Sequence, residues 1–424
     1  SAATYLPRGS APLAGALMRL PALAATYTRL LKEAESAGGD RVAQIEAARR
    51  CFYAGFVAEA IDDFCRASQW PDGSGAVHGG LLTGDDMARW QATVETPASF
   101  DYAGLTVLKC PAWSQGPIFL QQLAMLEGTQ IARCDPLGPE FAHLQVEAAK
   151  LALADREAWY GDTRLPPLAA LLDRDYAAAR RALIGETASL DLRPGKPGGN
   201  APRLPKLVAP AQASWSGDPG QAMRVAREGD TVHLDAADGH GNMLSAMPSG
   251  GWLQSSPVIP ALGFPLGTRG QMFWLEEGLA SSLAPGKRPR TTLSPGMALR
   301  DGRPVLAFGS PGGDQQDQWA LSFFLRHLHG GMDLAQAIEA PAFHTEHMPA
   351  SFYPRASRPG VVLAEERFPQ ATLDDLRRRG HAIENAGPWA LGRLAAVGCE
   401  ERHGAHILKA AATPRWQQAL ALAR

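Results

Sequence analysis

Between residues 191 and 230 the chain is hard to fit into any regular element. DLRPGKPGGNAPRLPKLVAPAQASWSGDPGQAMRVAREGD holds six prolines and six glycines. Each proline removes an N–H donor and fixes φ, and each glycine loosens the backbone, so no helix or ladder runs through it. It also lacks a sustained apolar period, as expected of an exposed, mobile linker. The segment divides two textures. Residues 1–190 are mainly helical, with LAATYTRLLKEAESAGG, CFYAGFVAEAIDDFCRAS, PEFAHLQVEAAKLALADREAWYG and DRDYAAARRALI at helical spacing and YAGLTVLKCPAWSQGP as one strand and turn. In 231–424 the period moves towards two. TVHLDAAD and NMLSAM form a hairpin, and GMALRDGRPVLAFGS forms another with Asp-Gly at its bend. DQWALSFFLRHLHGG and PQATLDDLRRRGH are helices, and LGRLAAVGCEE pairs with AHILKAAATPR. Helices first, then strands mixed with helices, suggest an α+β fold in layers.

Bulk composition narrows the class of molecule. The chain is 45% hydrophobic and 20% charged over 424 residues, which suits one large or two to three modest globular domains. A formal net charge of −2 makes no broad case for nucleic acid or a membrane surface as partner. No apolar run reaches bilayer-spanning length. The opening SAATYLPRGSAPL has neither the basic start nor the apolar core of a signal peptide, and it has no initiator Met. An upstream piece is therefore expected to have been removed, and a cytoplasmic or periplasmic address stays open. Cys51, Cys65, Cys110, Cys134 and Cys399 are scattered without CxxC spacing, against a disulfide framework or a structural zinc site. No cofactor is implied.

Several stretches carry candidate chemistry. GSPGGD (309–314) follows a strand-like run and precedes a helix, but lacks the Lys-Ser/Thr of a P-loop. Outward N–H groups at such a junction suit an anion or an oxyanion, and a plain tight turn is the competing reading. FHTEHMP clusters His344, Glu346 and His347, but on a Pro-bounded, non-helical segment without HExxH, so no metal is expected. KRPRTTLSP sets a basic run before Thr291 and Thr292, which read either as a solvated loop or as hydroxyls that recognise a carboxylate. There is no GxSxG and no cysteine in a protease-like context. Another route to a nucleophile exists. If the bond before Thr231 is cut, its hydroxyl and its new α-amine lie on one residue. That amine has a reference pKa of roughly 8 and can serve as the base.

Taken in order, these stretches resemble the γ-glutamyltranspeptidase family. HGGLLTGDDMARWQATVETP is similar to the family's loop before its central strand, and DPLGPEFAHLQVEAAKLALADREAWYGD to its long helix. TVHLDAADGHGN resembles the start of its small subunit, and KRPRTTLSP, GSPGGDQQ and APAFHTEH its later motifs. The resemblance implies a four-layer αββα sandwich of the N-terminal-nucleophile hydrolase type. It implies a precursor that cuts itself before the catalytic threonine into large and small subunits that stay together, with a dimer of these heterodimers left open. Carried over, Thr231 is the nucleophile, Gly312 and Gly313 hold the oxyanion, and Ser249 falls near a second threonine that bonds to the nucleophile. Thr291 and Thr292 match paired serines that contact the substrate carboxylate.

The departures bear on the substrate. Val232 stands where the family usually has a second threonine, while His233 is retained. In GFPLGTRGQMFWLEEG, Arg269 lies near a family Gln, and Met272 near an Asp that holds the glutamyl amino group. Arg269 would instead favour an anionic substrate. A structural arginine is the alternative. SGGWLQSSP replaces the usual loop with an apolar, Trp-bearing one that would line an acyl pocket or simply pack. Family members also carry, upstream of the equivalent of Ser1, sheet strands and an arginine for the glutamyl carboxylate. Three readings stand: a γ-glutamyl hydrolase or transferase (glutathione type), an acylase or small-amide hydrolase of the glutaryl, cephalosporin or oxamate type, and an uncleaved homologue acting as a binding protein. The first two take a small-molecule amide.

Overall fold

Tight two-residue turns build the sheet on which the larger part of the chain is assembled. The computed structural model describes residues 1–71, 75–163, 167–206, 231–250, 256–352, 355–402, 404–415 and 419–423. These fall into two units, one of Ser1–Glu95 and Gly250–Thr268, the other of Thr96–Ser249 and Arg269–Arg424. In the larger unit, β1 (Ala98–Tyr102) and β2 (Leu105–Lys109) bury every second side chain. Ala103 and Gly104 between them take φ of 49° and 79°. Asp301 and Gly302 do the same at 51° and 76° between β5 (Gly296–Arg300) and β6 (Arg303–Gly309). Both are the left-handed pairs that match the twist of a hairpin. A third hairpin joins β10 (Ala395–Arg402) to β11 (Ala405–Ala412). All six strands form one antiparallel sheet in the order β11-β10-β6-β5-β2-β1. The β2–β5 ladder sets Val107 opposite Ala298, so strands from both sides of the Pro/Gly-rich segment share one sheet. The sequence marks only one strand here. β1, ASFDY, carries Ser and Asp, which disguise it as a loop.

Two helices pack on this sheet and a third, between them, packs on those two. α4 (Pro117–Leu126) is buried at every position, α5 (Pro139–Trp159) from Phe141 to Ala158, and α7 (Gln316–Leu328) from Gln316 to Arg326. Helices buried all round need cover on every side. For α5, Leu144, Ala148 and Leu151 join the main core, where Phe308 meets Phe119 and Phe324 at ring separations of 5.5 and 5.6 Å. Ala142 and Val146 on its other side enter a second cluster with Phe343, Val362 and Leu373. That cluster belongs to a small sheet of β7 (Phe343–Thr345), β8 (Val361–Ala364) and β9 (Ala382–Asn385), with α8 (Gln370–Arg378) beside it. Strands of three or four residues are too short to show a period, so the sequence does not announce them. α6 (Arg174–Arg181) is capped by the Asp173 carboxylate. The hairpin of β3 (Leu234–Ala237) and β4 (Met243–Ala246) packs against β6 and β10 without joining their ladder. Its turn is fixed by Asp238, which accepts from the N–H groups of His240 and Asn242, each at 2.9 Å. The fold is α+β, with helices on a sheet and a second β element against that sheet.

In the smaller unit, α1 (Pro21–Ser36), α2 (Arg41–Tyr53) and α3 (Phe56–Ala67) are joined with Ile259 and Leu262, which share a core with Val57 and Ile61. The apolar spacing of 51–68 reads as one helix, but the chain breaks at Ala54 and Gly55. A β-carbon on Gly55 would press on the Cys51 backbone at 3.0 Å.

The Pro/Gly-rich segment is not free throughout. The Gly195 N–H donates to Asp155 at 2.6 Å, the Trp159 indole donates to the Gly195 carbonyl at 3.2 Å, and Arg193 pairs with Glu147 at 3.3 Å. Side chains of α5 thus dock residues 193–195, which propensity alone could not foresee. Residues 207–230, the rest of the expected linker, lie outside the described residues. His347 adds a tie. Its Nδ1 accepts from the Gly360 N–H at 3.2 Å, so Nε2 carries the proton and donates to the Asp191 carbonyl at 3.2 Å. Burial, with Lys150 nearby, pushes its pKa down to about 4. An unfolded chain would protonate this histidine near its ordinary 6.5. Stability is therefore intact above pH 6.5 and declines towards pH 4, by up to about 1.4 kcal/mol per pH unit for such a histidine. Urea unfolding at pH 7, 6 and 5 should show this slope, and His347→Gln should flatten part of it. Burial and Lys150 also lower His381, to about 3, and that share of the slope remains.

Candidate functional site

The register of the β3–β4 hairpin brings two distant hydroxyls together. Leu234 faces Ala246, and further out the Val232 N–H donates to the Pro248 carbonyl at 3.1 Å. Continuing that register sets Thr231 beside Ser249, and Thr231 Oγ1 donates to Ser249 Oγ at 3.2 Å. Thr231 is only 9% exposed. Arg269 opens a one-turn 3-10 helix, Arg269–Met272, and its guanidinium reaches the same pair. Nη2 donates to Ser249 Oγ and, at 3.4 Å, to Thr231 Oγ1. Nη1 lies 3.4 Å from Thr292 Oγ1 and 3.5 Å from Met272 Sδ. The guanidinium carbon is 5.7 Å from the centre of the Phe352 ring. Four residues singled out from the sequence, Thr231, Ser249, Arg269 and Thr292, thus form one hydrogen-bonded group.

The other three are reached through Gln115. Thr291 donates its N–H to the Trp113 carbonyl and accepts from the Gln115 N–H, both at 2.8 Å. Its buried hydroxyl has no hydrogen-bond partner among the described residues. The Gln115 side chain donates to the Gly313 carbonyl at 3.2 Å. Gly312 and Gly313 turn the chain from β6 into α7 with φ of 138° and 62°. A β-carbon on Gly312 would overlap the Trp319 ring. Their N–H groups donate to no acceptor among the described residues, which suits a loop that offers donors to a ligand oxygen. The preceding strand is tied to the hairpin as well. A β-carbon on Gly309 would collide with the His233 ring, and His233 is hydrogen bonded to Asp235 at 2.7 Å.

Beneath the loop lies a cluster of buried charge that the sequence reading missed. Arg156 is wholly buried and donates to Asp314, to Glu157 at 2.8 Å, to Gln115 Oε1 at 2.9 Å and to the Pro349 carbonyl at 3.3 Å. Arg290 pairs with Glu157 at 3.0 Å and donates to Ser351 Oγ at 3.2 Å. Ser351 in turn donates to Asp314 from its N–H at 2.8 Å and from its hydroxyl at 2.5 Å. Burial pushes the Asp314 carboxyl up, but Arg156 and Ser351 outweigh it, and the group stays below the usual carboxylate range. Asp314 and Arg290 flank Gly313 and Thr291 directly, so the adjacency of charge to each motif was the signal available. In FHTEHMP, His344 sits edge-on to Trp319 at 5.3 Å and Glu346 pairs with Arg358 at 2.8 Å, and among the described residues no group of His, Cys, Asp or Glu is arranged to hold a metal ion. Residues 251–255 of the apolar SGGWLQSSP loop lie outside the described residues.

Layered helices over a sheet, with a threonine at the head of a packed hairpin and a glycine loop mounted on buried charge, make up the candidate site of an α+β fold. The chain belongs to the γ-glutamyltranspeptidase family: the family profile described as Gamma-glutamyltranspeptidase matches residues 1–423. It is 29% identical over 417 residues to the oxamate amidohydrolase proenzyme of Klebsiella pneumoniae subsp. pneumoniae, covering 97% of this chain and 67% of that protein. It is also 29% identical to the acylase ACY 1 proenzyme of Pseudomonas sp. (strain SE83), over 81% of this chain and 54% of that one. With the glutathione hydrolase proenzyme of Bacillus subtilis (strain 168) it shares 29% identity, over 77% and 53%. The chain spans about half the length of these last two relatives. Among solved structures, that of LmbA2991HD is 52% identical, with a TM-score of 0.91 over all of this chain and 71% of that one. The cephalosporin acylase of Bacillus halodurans is 26% identical, with a TM-score of 0.75 over 98% and 64%.

The Gly312–Trp319 contact gives a direct check. Gly312→Ala forces a β-carbon into a left-handed, filled position and should cost about 1–3 kcal/mol in denaturant unfolding. Trp319→Leu clears that space, so the double substitution should lose less than the sum of the two single ones.

Proposed function

We propose that this protein is an amidohydrolase of the N-terminal-nucleophile type whose substrate carries a carboxylate on its acyl part. The observation that carries this reading is the Arg269 guanidinium held against the Thr231 and Ser249 hydroxyls. In self-cleavage, Thr231 Oγ1 attacks the carbonyl before it, the acyl group shifts from N to O, and water splits the ester. The α-amine so freed takes the proton from Thr231 Oγ1 as that oxygen attacks a substrate amide. The amide C–N bond then breaks, the leaving amine takes the proton, and water hydrolyses the acyl-enzyme. In this reading Gly312 and Gly313 N–H groups hold the oxyanion, Ser249 aligns the nucleophile, and Arg269 with Thr291 and Thr292 holds the carboxylate.

The spacing favours a short acyl group. The acyl carbon must bond to Thr231 Oγ1, and Arg269 Nη2 lies only 3.4 Å from that oxygen. A carboxylate attached directly to the carbonyl, as in an oxamate, meets the guanidinium without its moving, whereas a glutaryl chain requires it to swing away. The oxamate amidohydrolase relative, matched over 97% of this chain, supports the same class. A γ-glutamyl substrate is the second reading, supported by the glutathione hydrolase relatives.

Two measurements test this. The whole protein should yield a fragment beginning Thr231-Val232-His233, and Thr231→Ala should stay uncut. A wild-type chain that stays whole would favour a binding role. Arg269→Met should lower kcat/KM for N-(4-nitrophenyl)oxamate by about 10- to 100-fold, the worth of a charged hydrogen bond, and far less for the uncharged oxamide. Faster turnover of γ-glutamyl-4-nitroanilide than of either would overturn the short-acyl assignment.

A further inference from the structure

The segment that begins at Ser351 touches both halves of the site. At one end, Ser351 is bound to Asp314, the residue after Gly313, and to Arg290, the residue before Thr291. Phe352 is buried with its ring 5.7 Å from the Arg269 guanidinium. At the other end, Arg355 grips the turn that carries Arg269. Its Nη2 donates to the Gln271 carbonyl at 3.0 Å and to the Phe273 carbonyl at 2.7 Å, and its Nη1 donates to the Ser351 carbonyl at 3.1 Å. Its guanidinium carbon lies 4.0 Å from the centre of the Trp274 ring. One side chain therefore satisfies three carbonyls on the two segments it joins, the planar fork that arginine supplies and lysine cannot.

The backbone of Arg355 adds an independent observation. Its φ is 60°, a left-handed conformation that glycine takes freely and residues with a side chain adopt uncommonly. An arginine kept in such a conformation is held there by its surroundings, and strain of this kind gathers at ligand clamps and active sites.

We propose that Arg355 is a specificity-positioning residue: by clamping the Arg269–Met272 turn to the segment bound to Asp314, it fixes the distance between the anion-reading guanidinium and the Gly312–Gly313 loop. That distance sets which acyl carboxylate fits. The inference rests on the reading of Arg269 as the carboxylate partner, and Arg355 acts through Arg269 without touching substrate.

The test uses the whole protein with Arg355→Gly and Arg355→Lys. Glycine suits the left-handed backbone and removes only the clamp. Each variant is assayed with N-(4-nitrophenyl)oxamate and its uncharged oxamide. Arg355→Gly should self-cleave, melt within a few degrees of wild type, and lose about tenfold or more in the preference for the anionic substrate, chiefly through KM, as expected for a misplaced binding group. Arg355→Lys should recover part of that preference. Added to Arg269→Met, Arg355→Gly should cause no further loss. Equal falls for both substrates, or an additive loss in the double variant, would overturn the proposal while leaving the Arg269 reading intact. If Arg269→Met is itself unselective, the reading of the substrate fails and this inference with it. Should Arg355→Gly fail to self-cleave, the same ratio in Arg355→Lys decides: an unchanged preference overturns the clamp.

Discussion

The contact on which most of the site depends is the one between Arg156 and Asp314. Taking a guanidinium out of water is costly unless its donors are all met by acceptors. Arg156 meets four of them: Asp314 after the glycine loop, Glu157 beside it on the helix, Gln115 at the entry to α4, and the Pro349 carbonyl. Asp314 follows the glycine loop, Gln115 bonds to both Gly313 and Thr291, and Glu157 is shared with Arg290. The geometry of the glycine loop is therefore inherited from a helix interior, where there is little room for adjustment. Arg290 and Ser351 extend the same bonding to the Thr291–Thr292 stretch and to the segment holding Arg355.

A second constraint is the hairpin register. Thr231 and Ser249 are separated by eighteen positions, yet lie side by side because each is one step beyond the Val232–Pro248 hydrogen bond. The Asp238 turn sets that register, and a slip of one residue would turn the Thr231 hydroxyl to the opposite face. The buried His233–Asp235 pair, seated over Gly309, keeps this hairpin in contact with the strand that leads to the glycine loop. Thr231 and the glycine loop are thus both referred to β6.

Much of this was legible beforehand, for identifiable reasons. The Asp301-Gly302 hairpin, the β3–β4 hairpin, the long helix and the β10–β11 pair all show strong local signals, and each appears in the structure close to its expected bounds. Thr231, Ser249, Arg269 and Thr292 could be grouped because they fall at or near positions that the ordered motifs share with a family's site, Arg269 as a departure from it. What could not be read was long-range. Gln115, Arg156 and Ser351 look ordinary in their local windows, and only the packing of α5 against two clusters makes an arginine there a structural centre. The same holds for residues 193–195, whose composition predicts freedom while Asp155, Trp159 and Glu147 supply partners from a helix far back in the chain. Short strands such as β7 and β8 take their form from neighbours and carry no period of their own.

The sheet order has a topological consequence. β1 and β2 come from before residue 231, and β5, β6, β10 and β11 from after it, and the ladder between β2 and β5 is continuous. A break in the backbone at Thr231 would therefore leave a single woven object made of two strings. Its pieces share a hydrogen-bonded seam in the middle of the sheet, so pulling them apart means tearing the sheet itself. Their association would be fixed before any cut, at the moment of folding, and would afterwards be lost only with the sheet. The chain would work as one polypeptide while it folds and as two only in its termini.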